Sequence, residues 1–85
     1  MVRAPARVVL VGGVADRCTG GATEFQIEAK TLYDIIKALD ERYPGLGEYL
    51  EEASVAIDGD IHEVVYHHPL RPGCEIYFIP KIEGG

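Results

Sequence analysis

The group in this chain whose placement most suggests chemistry is the α-carboxylate of Gly85, at the end of the run Glu75-Ile76-Tyr77-Phe78-Ile79-Pro80-Lys81-Ile82-Glu83-Gly84-Gly85. A short apolar strand stopped by proline, then a few residues and two glycines, reads as a tail built for insertion into a partner. Glycine has no Cβ, so Gly84 and Gly85 pass a channel closed to larger residues and turn inside it at little steric cost. At ordinary glycine usage a terminal pair arises by chance in roughly one chain in two hundred, so the pair carries weight only together with the strand and proline before it. The expected reactive group is this carboxylate and not a side chain.

Other residue types capable of chemistry are poorly spaced for it. His67 and His68 are adjacent and point apart in an extended chain, and neither they nor His62 are joined by a cysteine or carboxylate at metal-ligand spacing, so no metal site is expected. Cys18 and Cys74 are too few and too widely separated for a secreted disulfide scaffold or a zinc site, and both are expected as reduced thiols that do not bond to each other. No helix N-terminus adjoins Cys74 to activate it, so it reads as a small, partly buried turn residue. The pairs Gly12-Gly13 and Gly20-Gly21 are not followed by Gly-Lys-Ser/Thr and read as turns or bulges, not a phosphate loop. Glu48, Glu51 and Glu52 form an acidic patch open to two readings, guidance of a basic partner or, the more ordinary meaning of such a run, a solvated face.

Fourteen acidic against eight basic residues give a net charge of −6 over 85 residues. That balance disfavours nucleic acid and anionic membranes as main partners and suits a basic protein surface. No apolar run approaches the ~20 residues of a membrane span, and Met1-Val2-Arg3-Ala4-Pro5 begins no secretory apolar region, so a cytoplasmic location is expected. A chain of this length makes one small core and leaves little room for a large internal cavity.

The elements that must hold the tail follow from hydrophobic periodicity. Arg7-Val8-Val9-Leu10-Val11 is a β-branched run with apolar residues on both faces, predicting a central strand. Residues 15–22 read as a loop, and Thr23-Glu24-Phe25-Gln26-Ile27-Glu28 alternates with period two, predicting a second strand with one wet face. Thr31 is a good helix N-cap with Asp34 three residues on, and Leu32, Ile35, Ile36, Leu39 and Tyr43 form a single apolar stripe, so a helix is predicted from Leu32 until Pro44-Gly45 ends it. Leu46, Tyr49 and Leu50 suggest a further helical turn packed on the first. Ser54-Val55-Ala56-Ile57 predicts a strand, Asp58-Gly59 a tight hairpin turn, and residues 60–66 the returning strand. The prolines and glycine of His67-His68-Pro69-Leu70-Arg71-Pro72-Gly73 predict a loop leading into the last strand. One helix and four or five strands pack economically only with the helix across one sheet face, an α+β arrangement. If Ile76 and Phe78 face the helix, then Tyr77 and Ile79 face away with Val9 and Val11, leaving an exposed apolar patch.

The set Pro69-Leu70, Gly73, Glu75, the strand ending Phe78-Ile79-Pro80 and the final Gly84-Gly85 resembles the sulfur-carrier proteins of the MoaD and ThiS type, closer to MoaD. Leu32 through Glu41-Arg42-Tyr43-Pro44-Gly45-Leu46 is similar to that family's helix and its exit. The chain departs from the pattern at Cys74, Gly12-Gly13 and Ile79. The resemblance implies a ubiquitin-like β-grasp fold over residues 1–80, with the first and last strands parallel neighbours, and a flexible tail at 81–85 comprising Lys81, Ile82, Glu83, Gly84 and Gly85. It implies that an adenylating enzyme of the MoeB or ThiF type uses ATP to convert Gly85 to an acyl-adenylate, and that a sulfur donor protein then displaces AMP to leave a thiocarboxylate. No cofactor would be held stably by the carrier itself. Val11, Ile61, Tyr77, Ile79 and Pro80 would bind partners, among them a MoaE-like large subunit of molybdopterin synthase. The same resemblance admits a carrier for thiamin, cysteine or tRNA thiolation. A ubiquitin-like modifier joined to lysines, or an interaction module with incidental glycines, are the readings from other classes.

Overall fold

The computed structural model describes residues 4–12 and 23–79. Within them five strands and two helices follow in the order β1 (Ala6–Leu10), β2 (Glu24–Ile27), α1 (Leu32–Arg42), α2 (Leu46–Glu52), β3 (Ser54–Ile57), β4 (Asp60–Glu63) and β5 (Glu75–Ile79). The sheet order is β2-β1-β5-β3-β4. β5 lies parallel to β1 and antiparallel to β3, so the last strand of the chain occupies the centre of the sheet. This is the mixed, helix-covered sheet of the ubiquitin-like β-grasp.

Strand alternation sorts the sheet into two faces. Val8, Leu10, Phe25, Val55, Ile57, Ile76 and Phe78 are buried on one of them. α1 covers that face with Leu32, Ile35, Ile36 and Leu39, the predicted stripe. Tyr43, the fifth residue of the stripe, caps the helix half-buried, its ring edge-on to Phe25 at 5.9 Å between centroids. The Asp34 carboxylate reaches back to accept the backbone N–H groups of Lys30 (3.0 Å) and Thr31 (3.3 Å), stabilising the helix start.

Three sequence expectations are corrected. The returning strand stops at Glu63, not at 66. Beyond it the chain folds back over the start of α1, where the carbonyls of Tyr66 and His68 accept the N–H groups of Tyr33 (2.8 Å) and Leu32 (3.0 Å). Those donors have no partner inside the helix, and satisfying them outweighs two or three more residues of edge pairing. In α2, Leu46 and Leu50 are buried as expected, but Tyr49 is 47% exposed. Gly47, not Tyr49, takes the buried position beside those leucines because it lies against the Asp40 side chain, where an added Cβ would sit 3.0 Å from the carboxylate oxygen. Cys74 is fully buried in the core, not partly buried. The expectation about a Cys18–Cys74 bond rests on Cys18, which lies outside the described residues.

The turn between β3 and β4 behaves as read. Asp58 (φ 49°) and Gly59 (φ 91°) both adopt positive φ, the requirement of the tight hairpin turn that Asp-Gly supplies most easily. Asp58 has a second task, since its Oδ1 accepts the N–H of Glu75 at 2.9 Å while its own N–H donates to the Glu75 carbonyl at 2.9 Å. The hairpin is thereby tied to the first residue of β5.

Candidate functional site, the open sheet face and the exit of the last strand

The face turned away from the helices is built by the residues between those of the core. Across it one row runs Glu24, Val9, Tyr77, Ala56, Ile61, and the next joins Ile79, Ser54 and Glu63. The Val11 N–H donates to the Phe78 carbonyl at 2.9 Å, continuing the β1–β5 ladder to the side of Ile79. Val9, Ala56, Tyr77 and Ile79 are half-buried, while Val11 and Ile61 are exposed, Ile61 at 72%. A single exposed apolar side chain is ordinary, but Ile61 belongs to a contiguous apolar strip reaching the end of β5, and it is the contiguity that carries meaning. Of the predicted partner-binding residues, Val11, Ile61, Tyr77 and Ile79 thus share one surface. Pro80, Lys81, Ile82, Glu83, Gly84 and Gly85 lie outside the described residues.

At the opposite end of the same face sits a polar cluster that the sequence reading missed. Arg7 donates from Nε and Nη2 to the two carboxylate oxygens of Glu24 (3.2 and 3.1 Å). Its Nη1 donates both to Glu75 (3.2 Å) and to the Tyr77 hydroxyl (3.2 Å). The fork of the guanidinium matches a carboxylate in this way, and each bond is charge-assisted. Hydrogen bonding to Glu24, and then to Tyr77, raises the pKa of Arg7 above its ordinary value, and the hydrogen bond from Arg7 holds the Glu24 carboxyl below the usual glutamate value. The consequence is mechanical. Tyr77 is held at its hydroxyl by Arg7, where the apolar strip meets the charged cluster. The signal available in the sequence was the alternation itself, because Arg7 shares the parity of Val9 and Glu24 the wet face of β2.

Histidines and cysteine stand apart from this face. His62 and His68 bring their rings to 4.8 Å between centroids, a pairing that depends on the approach of β4 to the loop and so leaves no signal in the local sequence. Among the described residues no three of His, Cys, Asp and Glu converge where they could hold a metal ion.

The fold recurs in solved structures of low sequence identity. Small archaeal modifier protein 1 from Methanosarcina acetivorans matches with a TM-score of 0.75 at 20% identity, covering 98% of each chain. A chain from the complex of subunits 1 and 2 of molybdopterin-converting factor from Helicobacter pylori matches with a TM-score of 0.66 at 23% identity, over 95% of this chain and 99% of that one. Urm1 from Trypanosoma brucei matches with a TM-score of 0.68 at 19% identity, over 100% and 99%. A search of curated proteins found no match. These likenesses establish the architecture; the sequence itself establishes kinship, since the model of the ThiS family matches residues 9–85, from the first strand through both terminal glycines, and the chain therefore belongs to the ThiS family, with its ubiquitin-like β-grasp fold.

Proposed function

We propose that this protein is a sulfur carrier that acts as the small, MoaD-like subunit of a molybdopterin synthase in the cytoplasm. The observation that carries the reading is the continuity of the apolar strip Val9, Tyr77, Ala56 and Ile61 with Ile79, the last described residue before Pro80 and the Gly84-Gly85 terminus. A partner seated on this strip receives the tail at its edge. Proline has no N–H to donate to a ladder, and in the sequence Pro80 is followed only by Lys81, Ile82, Glu83 and the two glycines. The large synthase subunit is the docking partner; that a structural relative is a complex of subunits 1 and 2 of molybdopterin-converting factor supports this.

The chemistry resides in a group that needs outside activation. A carboxylate is a poor acyl electrophile. An adenylating enzyme joins the Gly85 carboxylate oxygen to the α-phosphorus of ATP with loss of pyrophosphate; the terminal sulfur of a donor protein's persulfide then attacks the acyl carbon with loss of AMP, and a thiol cleaves the resulting acyl disulfide, being oxidised to a disulfide with the donor's cysteine and leaving the thiocarboxylate on Gly85. The carrier supplies a deliverable carboxyl group and a recognition surface, and ATP is bound by the activating enzyme.

A second reading, conjugation of Gly85 to lysines, is favoured by the structural likeness to an archaeal modifier protein. One experiment separates the two: intact mass after incubation with a ThiF- or MoeB-like enzyme, ATP and a sulfur donor. Exchange of one oxygen for one sulfur is the expected result, and deletion of Gly85 abolishes it. A ladder of conjugates in place of that exchange supports the modifier, and an unchanged mass with every candidate activator rejects both.

A further inference from the structure

On the opposite side of the molecule α1 and α2 leave a groove of about 350 Å³. It lies at the lower end of the ~300–1,000 Å³ typical of ligand pockets, room for a side chain more than for a cofactor. One wall is the edge-on ring pair Tyr33–Tyr66, with centroids 5.5 Å apart. These rings are 46% and 41% exposed, so aromatic surface that could have packed on the core is presented to solvent. Asp40, Glu48 and Glu51 carry three negative charges into the groove against the single positive charge of Lys37. Asp40 is held there by the N–H groups of Gly45 (3.2 Å) and Gly47 (2.9 Å), which its Oδ1 accepts. A second hollow of about 310 Å³, lined by Glu51, Val64 and Tyr66, meets the first at Tyr66 and Glu51.

Two exposed ring systems beside three carboxylates match one kind of occupant. A guanidinium stacks on an aromatic face and at the same time donates to carboxylates, whereas anions and purely apolar groups lose on one count or the other. We propose that this groove docks an arginine-bearing basic segment of a partner protein. It faces away from the open sheet, so it is occupied independently of the surface used in the proposed sulfur transfer and does not rest on that proposal. Tyr66 and Glu51, which line both hollows, are where an arginine of that segment would sit.

The test is titration of the ¹⁵N-labelled protein with an acetylated, amidated Gly-Arg-Gly-Arg-Gly peptide, with the lysine peptide in parallel. Amide shifts are expected at Tyr33, Lys37, Glu48, Glu51 and Tyr66 and not at Val9, Ala56 or Ile61, with the arginine peptide binding more tightly. The double substitution Glu48→Gln and Glu51→Gln should weaken binding about five- to tenfold, and Tyr66→Leu should erase the preference for arginine over lysine. Retained melting temperatures show that these variants remain folded. The rim variant Glu24→Gln and the sheet variant Ile79→Asp should bind the peptide as the parent does. Undetectable binding by the parent, shifts spread over every acidic residue, an equal loss in Glu24→Gln, or unchanged binding in the double variant each overturn the proposal.

Discussion

Ile57 and Ile61 stand four residues apart on either side of one turn, and identical truncations at the two should have opposite consequences. Ile57 is 8% exposed and faces α1, whereas Ile61 is 72% exposed and faces solvent on the open sheet. Removing three carbons from a packed core site costs the lost transfer free energy plus a cavity term, so Ile57→Ala should destabilise by about 3 kcal/mol. For a domain of this size that corresponds to a fall in melting temperature of about 12–24 °C, at ~4–8 °C per kcal/mol. Ile61→Ala removes almost no buried area and sacrifices only edge-strand propensity, so its cost should stay below about 1 kcal/mol. Binding should reverse the order. Ile61→Asp sets a charge in the middle of a contact that must dehydrate, and should weaken association with a large molybdopterin synthase subunit from the same source by about 2 kcal/mol or more, roughly thirtyfold. Thermal melts and calorimetric titration of the same samples measure both quantities. If Ile61→Ala melts as early as Ile57→Ala, the assignment of faces is wrong. If Ile61→Asp binds like the parent, the open face is not the interface.

Three further outcomes are expected. Ile79→Asp should reduce the same association by several kcal/mol while leaving the fold intact, because Ile79 faces away from the helices at the strand exit, and pull-down with the large subunit reads this directly. Asp58→Ala should cost about 1–2 kcal/mol in denaturant unfolding, from strain at a positive φ and loss of the acceptor for the Glu75 N–H, whereas Asp58→Asn retains both features and should be nearly neutral; equal losses would remove that tie as a cause. The Arg7–Glu24 pair should appear in acid. The folded pKa of Glu24 is depressed, so its contribution is fully present above the ordinary value of about 4.3 and is lost as pH falls from there through the lower folded value. Stability measured against pH should therefore decline less steeply below pH ~4.3 in Glu24→Gln than in the parent, and parallel curves would show the pair to be idle.

Features written in local periodicity were legible before any coordinates. Alternation in 24–27 and 75–79, the helical stripe from Leu32 to Leu39, the Asp58-Gly59 turn and the break at Pro44-Gly45 each depend on neighbours a few residues away, and each stands where the residues indicate. Parity alone also brought Tyr77, Ile79, Val9 and Val11 to one face. Family resemblance, not periodicity, pointed to the parallel pairing of the first and last strands, and to Ile61 as part of the same surface. What folding alone decided involves partners distant along the chain. Arg7 meets Glu24 across 17 residues and Glu75 across 68, because the order β2-β1-β5-β3-β4 inserts the last strand between the first and third. The early end of β4 came from the need of α1 for acceptors at its N-terminus, which Tyr66 and His68 supply through their backbones. That same fold-back brings Tyr66 onto Tyr33 and His68 onto His62, and so creates both the groove and the imidazole pair. A repeating pattern tells a residue which side to face, but the identity of what it finds there is set by how the sheet closes and where unsatisfied backbone groups draw the chain.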